Sequence, residues 1–172
     1  NVLLETTGVI QNNNTANTLN VKSDAGSLAL LGSSIGNTNS FTTSVTTLSA
    51  TASDGRVHIS EVGGNLTIGQ VTVDSRVFNG ITATSTTNGG SSVLIATTGG
   101  SLDSANTGGA ISANISTPAT QSGTVTLTAG GGILNALTLR QTVDSVNGAI
   151  QFNATGDVNL AHDDTHVTSH AG

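Results

Sequence analysis

The chain has 172 residues, a net charge of −6, and only 8% charged and 2% aromatic residues, with no cysteine. Four basic residues cannot supply the clustered positive charge that nucleic-acid binding requires, so we expect no nucleic-acid partner. The rest is mainly Thr, Ser, Asn, Gly and aliphatic residues, a composition that favours strands joined by turns. No apolar run approaches the roughly 18 residues of a membrane-spanning helix.

In chain order, the predicted elements repeat one pattern: a short alternating strand, a corner of small residues, and a second short strand. Copies begin at Val2, Leu28, Leu66, Val93, Val125 and Ile150, and a further copy that begins at Val57 runs directly into the one at Leu66. Without the copy at Val57, the six copies follow one another at intervals of roughly 25 to 40 residues, a length that is typical of one coil of a solenoid. The interval between Leu28 and Leu66 is the longest.

That long interval contains the polar sequence NTNSFTTSVTTLSATASDG. We interpret these residues, 37–55, as an inserted loop or hairpin. The best helical candidate in the chain is ILNALTLRQTV, but Leu137 and Leu139 alternate within it, so we predict a strand there as well. The sequence therefore predicts an all-β, single-domain parallel β-helix (β-solenoid) of six or seven coils that spans residues 1–172.

Stacking of coils explains the unusual composition. Equivalent residues of adjacent coils lie about 4.8 Å apart, so a charged residue would lie on its own like-charged copy. The narrow interior favours Val, Ile, Leu and Ala. The four basic residues each have an acid nearby, which predicts the local ion pairs Lys22–Asp24, Asp54–Arg56, Asp74–Arg76 and Arg140–Asp144.

The segments GTVTLTAGGGILNALTLRQTV and GAIQFNATGDVNLA resemble the repeats of filamentous-haemagglutinin-like adhesins, the large exoproteins of the two-partner-secretion family. The resemblance covers most of the chain as a style of repeat, and is best over residues 93–161. It implies a right-handed parallel β-helix shaft, secreted to the bacterial cell surface and used in attachment or biofilm formation. No secretion module of that family is recognisable, so we expect the chain to be an interior segment of a longer protein.

Candidate site residues are few. The sequence AHDDTHVTSHAG brings together His162, His166 and His170, a residue type that binds Zn or Ni. On a strand, however, neighbouring histidines of this set would lie about 13 Å apart, too far to share one ion. Asp163 and Asp164 are adjacent and would point to opposite faces of a strand. We therefore predict no metal site, no cofactor, no catalytic residues and no small-molecule substrate: the chain is not expected to be an enzyme.

Two interpretations of function remain open. In the first, the chain is a structural and adhesive extracellular shaft, with a host cell or another surface as its partner, and a specific ligand could bind the predicted loop at 37–55. In the second, it is a self-assembling subunit of an extracellular filament or surface layer, without specific receptor binding. Exposed sheet edges at both ends would favour end-to-end association of copies.

Overall fold

A computed structural model describes residues 1–14, 18–36, 39–86, 90–115, 122–130, 137–161 and 165–170, without the side chains of Ile115 and His170. His162, Asp163 and Asp164 lie outside the described residues, as do most of the glycine run at 130–132 and the start of the loop predicted at 37–55.

The secondary structure of the described residues consists of strands alone. They are β1 (Val2–Glu5), β2 (Val9–Ile10), β3 (Val21–Gly32), β4 (Ser34–Ile35), β5 (Phe41–Ala52), β6 (Arg56–Glu61), β7 (Leu66–Ile68), β8 (Gln70–Val73), β9 (Arg76–Asn79), β10 (Ile81–Ser85), β11 (Ser91–Thr97), β12 (Leu102–Ser104), β13 (Ile111–Ile115), β14 (Gly123–Ala129), β15 (Leu137–Leu139), β16 (Val143–Val146), β17 (Ile150–Ala154), β18 (Val158–Leu160) and β19 (Val167–His170). Over these same stretches there is no helix that could cross a membrane.

All strands except β8 and β9 belong to one large parallel sheet that winds around the molecule. From β10 onward each strand pairs with the strand three places later in the chain, such as β10 with β13 and β11 with β14. Each coil therefore contributes one strand to each of three faces. Face 1 contains β1, the second halves of β3 and β5, and β10, β13, β16 and β19. Face 2 contains β2, β4, β6, β11, β14 and β17, and face 3 contains β7, β12, β15 and β18. The predicted all-β, parallel, solenoid-like architecture is thus confirmed.

The core is built from aliphatic files that run along the stack. The register of face 1 aligns Leu4, Leu30, Ala50, Ile81, Ile111, Val143 and Val167. Face 2 aligns Ile10, Ile35, Val57, Val93, Val125 and Ile150. In the middle coils these residues are at most 1% exposed, because alternation turns every second side chain into the narrow interior.

Three of the predicted repeat alignments are confirmed by the register. Val2 pairs with Leu28, Val93 with Val125, and Val125 with Ile150. The alignment of Leu66 with Val93 is wrong, because Val93 pairs with Val57 and Leu66 pairs with Leu102. Strands of neighbouring faces in one coil carry the same inward alternation, so a pattern match cannot distinguish the next coil from the next face.

The loop or hairpin predicted at 37–55 is not found in the described part of that segment. Phe41–Ala52 form β5, a long strand that pairs with β3 on one side and with β6, β7 and β10 on the other. Its hydroxyl-rich sequence resembles a loop, but Thr42, Thr43 and Ser49 are buried within the sheet. Threonine is β-branched and suits a strand wherever its hydroxyl finds a partner.

The inserted hairpin lies further along the chain, between face 3 and face 1. The chain passes from Thr67 to Ile81 there, whereas in the next coil it covers the same corner by the shorter path from Asp103 to Ile111. The extra length forms β8 and β9, an antiparallel pair outside the main sheet. At its end, Gly80 has a φ of +60°, and a side chain at this position would collide with the backbone of Ala110.

The same corner varies in length along the whole stack. In successive coils it runs from Thr67 to Ile81, from Asp103 to Ile111, from Thr138 to Val143 and from Asn159 to Val167. In the coil before them, the residues aligned with Thr67 and Ile81 are Thr47 and Ala50, which lie close together on the continuous strand β5. Register on the three faces is kept while this corner takes up the difference.

Candidate functional site

The β8–β9 hairpin is the largest departure from the coil pattern among the described residues. Its two-residue loop is Asp74–Ser75, with φ angles of 47° and 66° and with Val73 opposite Arg76. Two successive positive φ angles are the signature of a type I′ turn, whose twist matches that of an antiparallel pair. The turn brings Arg76 to the start of the second strand and directs it back toward the first coil.

Arg76 joins the hairpin to the first coil through a two-pronged ion pair. Its Nη1 and Nη2 donate to the two carboxylate oxygens of Glu5 at 2.6 and 3.0 Å. These hydrogen bonds lower the pKa of Glu5 below its usual value. The guanidinium also lies 5.0 Å from the ring centre of Phe78, within the range of a cation–π contact. Asn1 adds a hydrogen bond to the carbonyl of Thr72 at 2.8 Å.

The hairpin covers the outer side of face 1. β8 contacts β3 and β5, and Val71 of β8 is 1% exposed. Beneath it, Ala29 and Ser49 are at most 1% exposed although they occupy outward positions of their strands, and Ser49 donates its hydroxyl to the carbonyl of Gly80 at 3.0 Å. A second small layer of packing is therefore built outside the solenoid, and it spans several coils.

Beside this layer lies an open groove of about 570 Å³ on the outer surface of face 1. Its lining residues are Glu5, Thr6, Thr7, Leu31, Gly32, Thr51 and Ser53. Three of them form one file along the stack, since Glu5 pairs with Leu31 and Leu31 pairs with Thr51. The groove thus presents a carboxylate, an aliphatic side chain and a hydroxyl on three successive rungs.

A buried carboxylate lies at the end of β6. Glu61 is 0% exposed and accepts hydrogen bonds at both oxygens. The hydroxyl of Thr43 and the N–H of Val45 donate to Oε2 at 2.8 and 3.1 Å, and the N–H of Gly63 donates to Oε1 at 2.6 Å. Burial raises the pKa of Glu61 above its usual value, against the opposing effect of these donors. With both oxygens held by the protein, Glu61 is a structural group that joins β6 to β5.

A serine and a histidine also meet on the outer side of face 2. The Nε2 of His58 lies 2.7 Å from the hydroxyl oxygen of Ser92. Burial, with a smaller effect from the charge of Arg56, lowers the pKa of His58 to about 4. A base with that pKa is poorly matched to activating a hydroxyl near neutral pH. The pair is best understood as a cross-strand hydrogen bond between neighbouring coils.

The histidines singled out in the sequence are only partly described. His166 is exposed just before β19, the side chain of His170 is not described, and His162 lies outside the described residues. Within the described ranges, no group of three or more His, Asp or Glu residues is placed to hold a metal ion.

One of the predicted ion pairs is confirmed, since Lys22 and Asp24 lie 3.2 Å apart. Arg76 and Arg140 instead bind acids of other coils, Glu5 and Asp103 respectively. Stacking places distant residues side by side at the coil spacing, so proximity in sequence is a poor guide to the partner of a charge.

Comparisons of the chain with models of protein families, with curated proteins and with solved structures find no match.

The groove and the hairpin were not predicted from the sequence. The signal for the hairpin was present as QVTV and RVFN, two alternating segments separated only by Asp74 and Ser75. No sequence pattern indicated the groove, because it depends on the register of three coils.

Proposed function

We propose that the chain is a single-domain, right-handed β-solenoid that acts as an extracellular shaft of a bacterial surface exoprotein. In this role it is structural and adhesive, and it supports attachment to cells or surfaces and the formation of biofilm. The style of its repeats, which resembles that of filamentous-haemagglutinin-like adhesins, supports the proposal.

The observation that carries the proposal is the unbroken face-1 file from Leu4 to Val167. Its rungs follow one another at about 4.8 Å, which gives a stack of roughly 30 Å. In a solenoid each coil is stabilised by its neighbours, so the structure resists bending and can hold a contact surface at a distance. The outward positions carry mainly uncharged polar groups, such as Thr124, Thr126 and Thr128 of β14, which suit contact with a hydrated surface.

The test is attachment by the folded chain. Beads coated with the purified chain are expected to remain on epithelial cells or on plastic in greater numbers than beads coated with albumin. The matched control carries Leu127→Asp, which places a charge in the core and unfolds the chain. Equal retention of wild-type, control and albumin beads contradicts the adhesive part of the proposal.

The segment 37–55 is not a removable receptor-binding loop, because its residues Phe41–Ala52 form strand β5. Deleting that segment removes β5, which pairs with strands on both sides, so the deletion destroys the fold rather than a loop.

The second candidate is end-to-end self-assembly into a filament or layer. It is favoured by apolar side chains that are left exposed in the coil of β18 and β19. Three residues of this coil are aligned with core residues of the coil before it but are themselves exposed: Val158 by 47%, Leu160 by 57% and Val167 by 42%. Their aligned residues in the preceding coil, Leu137, Leu139 and Val143, are at most 1% exposed.

Sedimentation velocity over a range of concentrations tests this candidate. Assembly is expected to grow with concentration in the wild type and to be lost in Leu160→Asp. The control Thr126→Asp adds the same charge at an outward position and should assemble like the wild type. A wild type that stays monomeric throughout contradicts self-assembly.

A further inference from the structure

We propose that the groove of Glu5, Thr7, Leu31, Thr51 and Ser53 binds a neutral, β-linked oligosaccharide. This inference does not depend on the proposed role as a shaft, because it follows from the chemistry and the spacing of the groove. Its volume of about 570 Å³ lies within the usual range for sites that bind small organic ligands.

The first support is the supply of hydrogen-bonding groups. Glu5, Thr7, Thr51 and Ser53 are all exposed. In the described part of the chain, no protein group hydrogen-bonds the side-chain hydroxyls of Thr7, Thr51 or Ser53. Each hydroxyl can both donate and accept, and a sugar hydroxyl needs a partner of this kind.

The second support is the way in which polar and aliphatic groups alternate. Leu31 lies between Glu5 on one rung and Thr51 on the next, and it is only partly exposed. A pyranose ring has an apolar C–H face and a polar rim. Leu31 can pack against that face of one ring, while the carboxylate and the hydroxyl meet the polar rims of the rings on either side.

The third support is the spacing of the rungs. Equivalent groups in adjacent coils lie about 4.8 Å apart. One sugar of an extended β-1,4-linked chain advances by about the same distance, so successive rings meet successive rungs. An α-linked chain curves away from a straight file and is expected to fit less well.

Charge selects against acidic sugars. The chain carries a net charge of −6, so a carboxylate or sulfate on the ligand is repelled by the protein as a whole. Arg76 and Glu5 neutralise each other as an ion pair, so the groove itself adds little attraction for an anion.

The experiment follows backbone amide signals of the isotope-labelled chain by NMR while an oligosaccharide is added. Cellotetraose is the probe, maltotetraose is the α-linked comparison, and tetragalacturonate is the anionic comparison. Cellotetraose is expected to shift the amides of residues 5–7, 31–32 and 51–53 with a dissociation constant in the millimolar range. The other two sugars are expected to shift them less at equal concentration.

Two alanine variants make the test specific. Thr51→Ala removes one groove hydroxyl and is expected to weaken cellotetraose binding about fivefold, the effect of one lost neutral hydrogen bond. Thr107→Ala removes an exposed hydroxyl away from the groove and should bind like the wild type. Unchanged thermal unfolding of both variants shows that the fold is intact.

Three outcomes overturn the proposal. The first is that millimolar cellotetraose leaves the groove amides unshifted. The second is that tetragalacturonate shifts them as strongly as cellotetraose does. The third is that Thr51→Ala and Thr107→Ala bind cellotetraose equally well.

Discussion

Strands β14 and β5 lie in the same sheet but are buried in different ways. Along Gly123–Ala129, buried and half-buried residues alternate without exception. Along Phe41–Ala52, five buried residues follow one another, and three more adjacent ones come later. β14 has water on one side, whereas β5 meets the buried Glu61 in its first half and the β8–β9 hairpin in its second.

The difference shows that buried and more exposed residues alternate only where the outer side of a strand meets solvent. A strand whose outer side is covered does not show this alternation. Where a second layer covers the outer side, polar residues can occupy both sides of a strand if their hydroxyls are satisfied. Thr43 and Ser49 meet this condition through Glu61 and the carbonyl of Gly80. Four substitutions test the comparison.

The largest effect is expected for Leu127→Ala in β14. Leu127 is 0% exposed in the core, so its truncation leaves a cavity and should lower the free energy of unfolding by about 3 kcal/mol. Its neighbour Thr126 points outward, and Thr126→Ala should change stability by less than about 0.5 kcal/mol. Denaturant unfolding measures both, and equal losses would mean that the predicted inside and outside of β14 are wrong.

The next effect is expected for Thr43→Val in β5. The change keeps the shape of the side chain but removes a donor from the buried Glu61, at a cost of about 2 kcal/mol. Thr51→Val in the same strand is the control, because Thr51 is exposed and should tolerate the change. If both variants are as stable as the wild type, the first half of β5 behaves as a solvated loop.

The third test is the pH dependence of Glu61→Gln. The pKa of Glu61 is raised in the folded state, so its contribution to stability is greatest below the unfolded pKa and declines as pH rises through the folded value. The stability of Glu61→Gln relative to the wild type is therefore expected to rise from pH 4 to pH 7. Taking the difference at each pH removes the opposing contribution of His58, which both proteins share.

Unfolding curves at pH 4, 5, 6 and 7 measure this difference. A difference between Glu61→Gln and the wild type that stays constant over the range would show that Glu61 titrates normally. At every pH, part of the stability lost in Glu61→Gln should remain. The side-chain NH2 of glutamine replaces one carboxylate oxygen, so it faces the N–H of either Val45 or Gly63, which then has no acceptor.

The smallest effect is expected for Arg76→Gln at the edge of the hairpin. Arg76 and Glu5 are about half exposed, so their ion pair should add little stability, and salt should reduce it further. The melting temperature should fall slightly in low salt and match the wild type in high salt. Lys22→Gln, which breaks an ion pair within one strand, serves as the control. A loss as large as that of Leu127→Ala would mean that the hairpin holds the first coils in place.

The sequence predicted the solenoid-like class because side chains alternate along most strands and because the motif recurs at coil spacing. It could not predict β5, whose burial depends on a hairpin and a carboxylate from other coils. It also could not assign the partner of Arg140, since Asp103 becomes its neighbour only through stacking. The groove was hidden for the same reason: Glu5, Leu31 and Thr51 are far apart in sequence and adjacent only in register.

The variable corner between face 3 and face 1 has a consequence for protein engineering. It is shortest within β5 and longest where it carries the β8–β9 hairpin, yet the strands on either side keep their pairing. A foreign peptide grafted between Ala105 and Gly109 would therefore be displayed at a fixed height and direction without redesign of the scaffold. Grafts in successive coils would form an array of epitopes whose separation is set by the backbone itself.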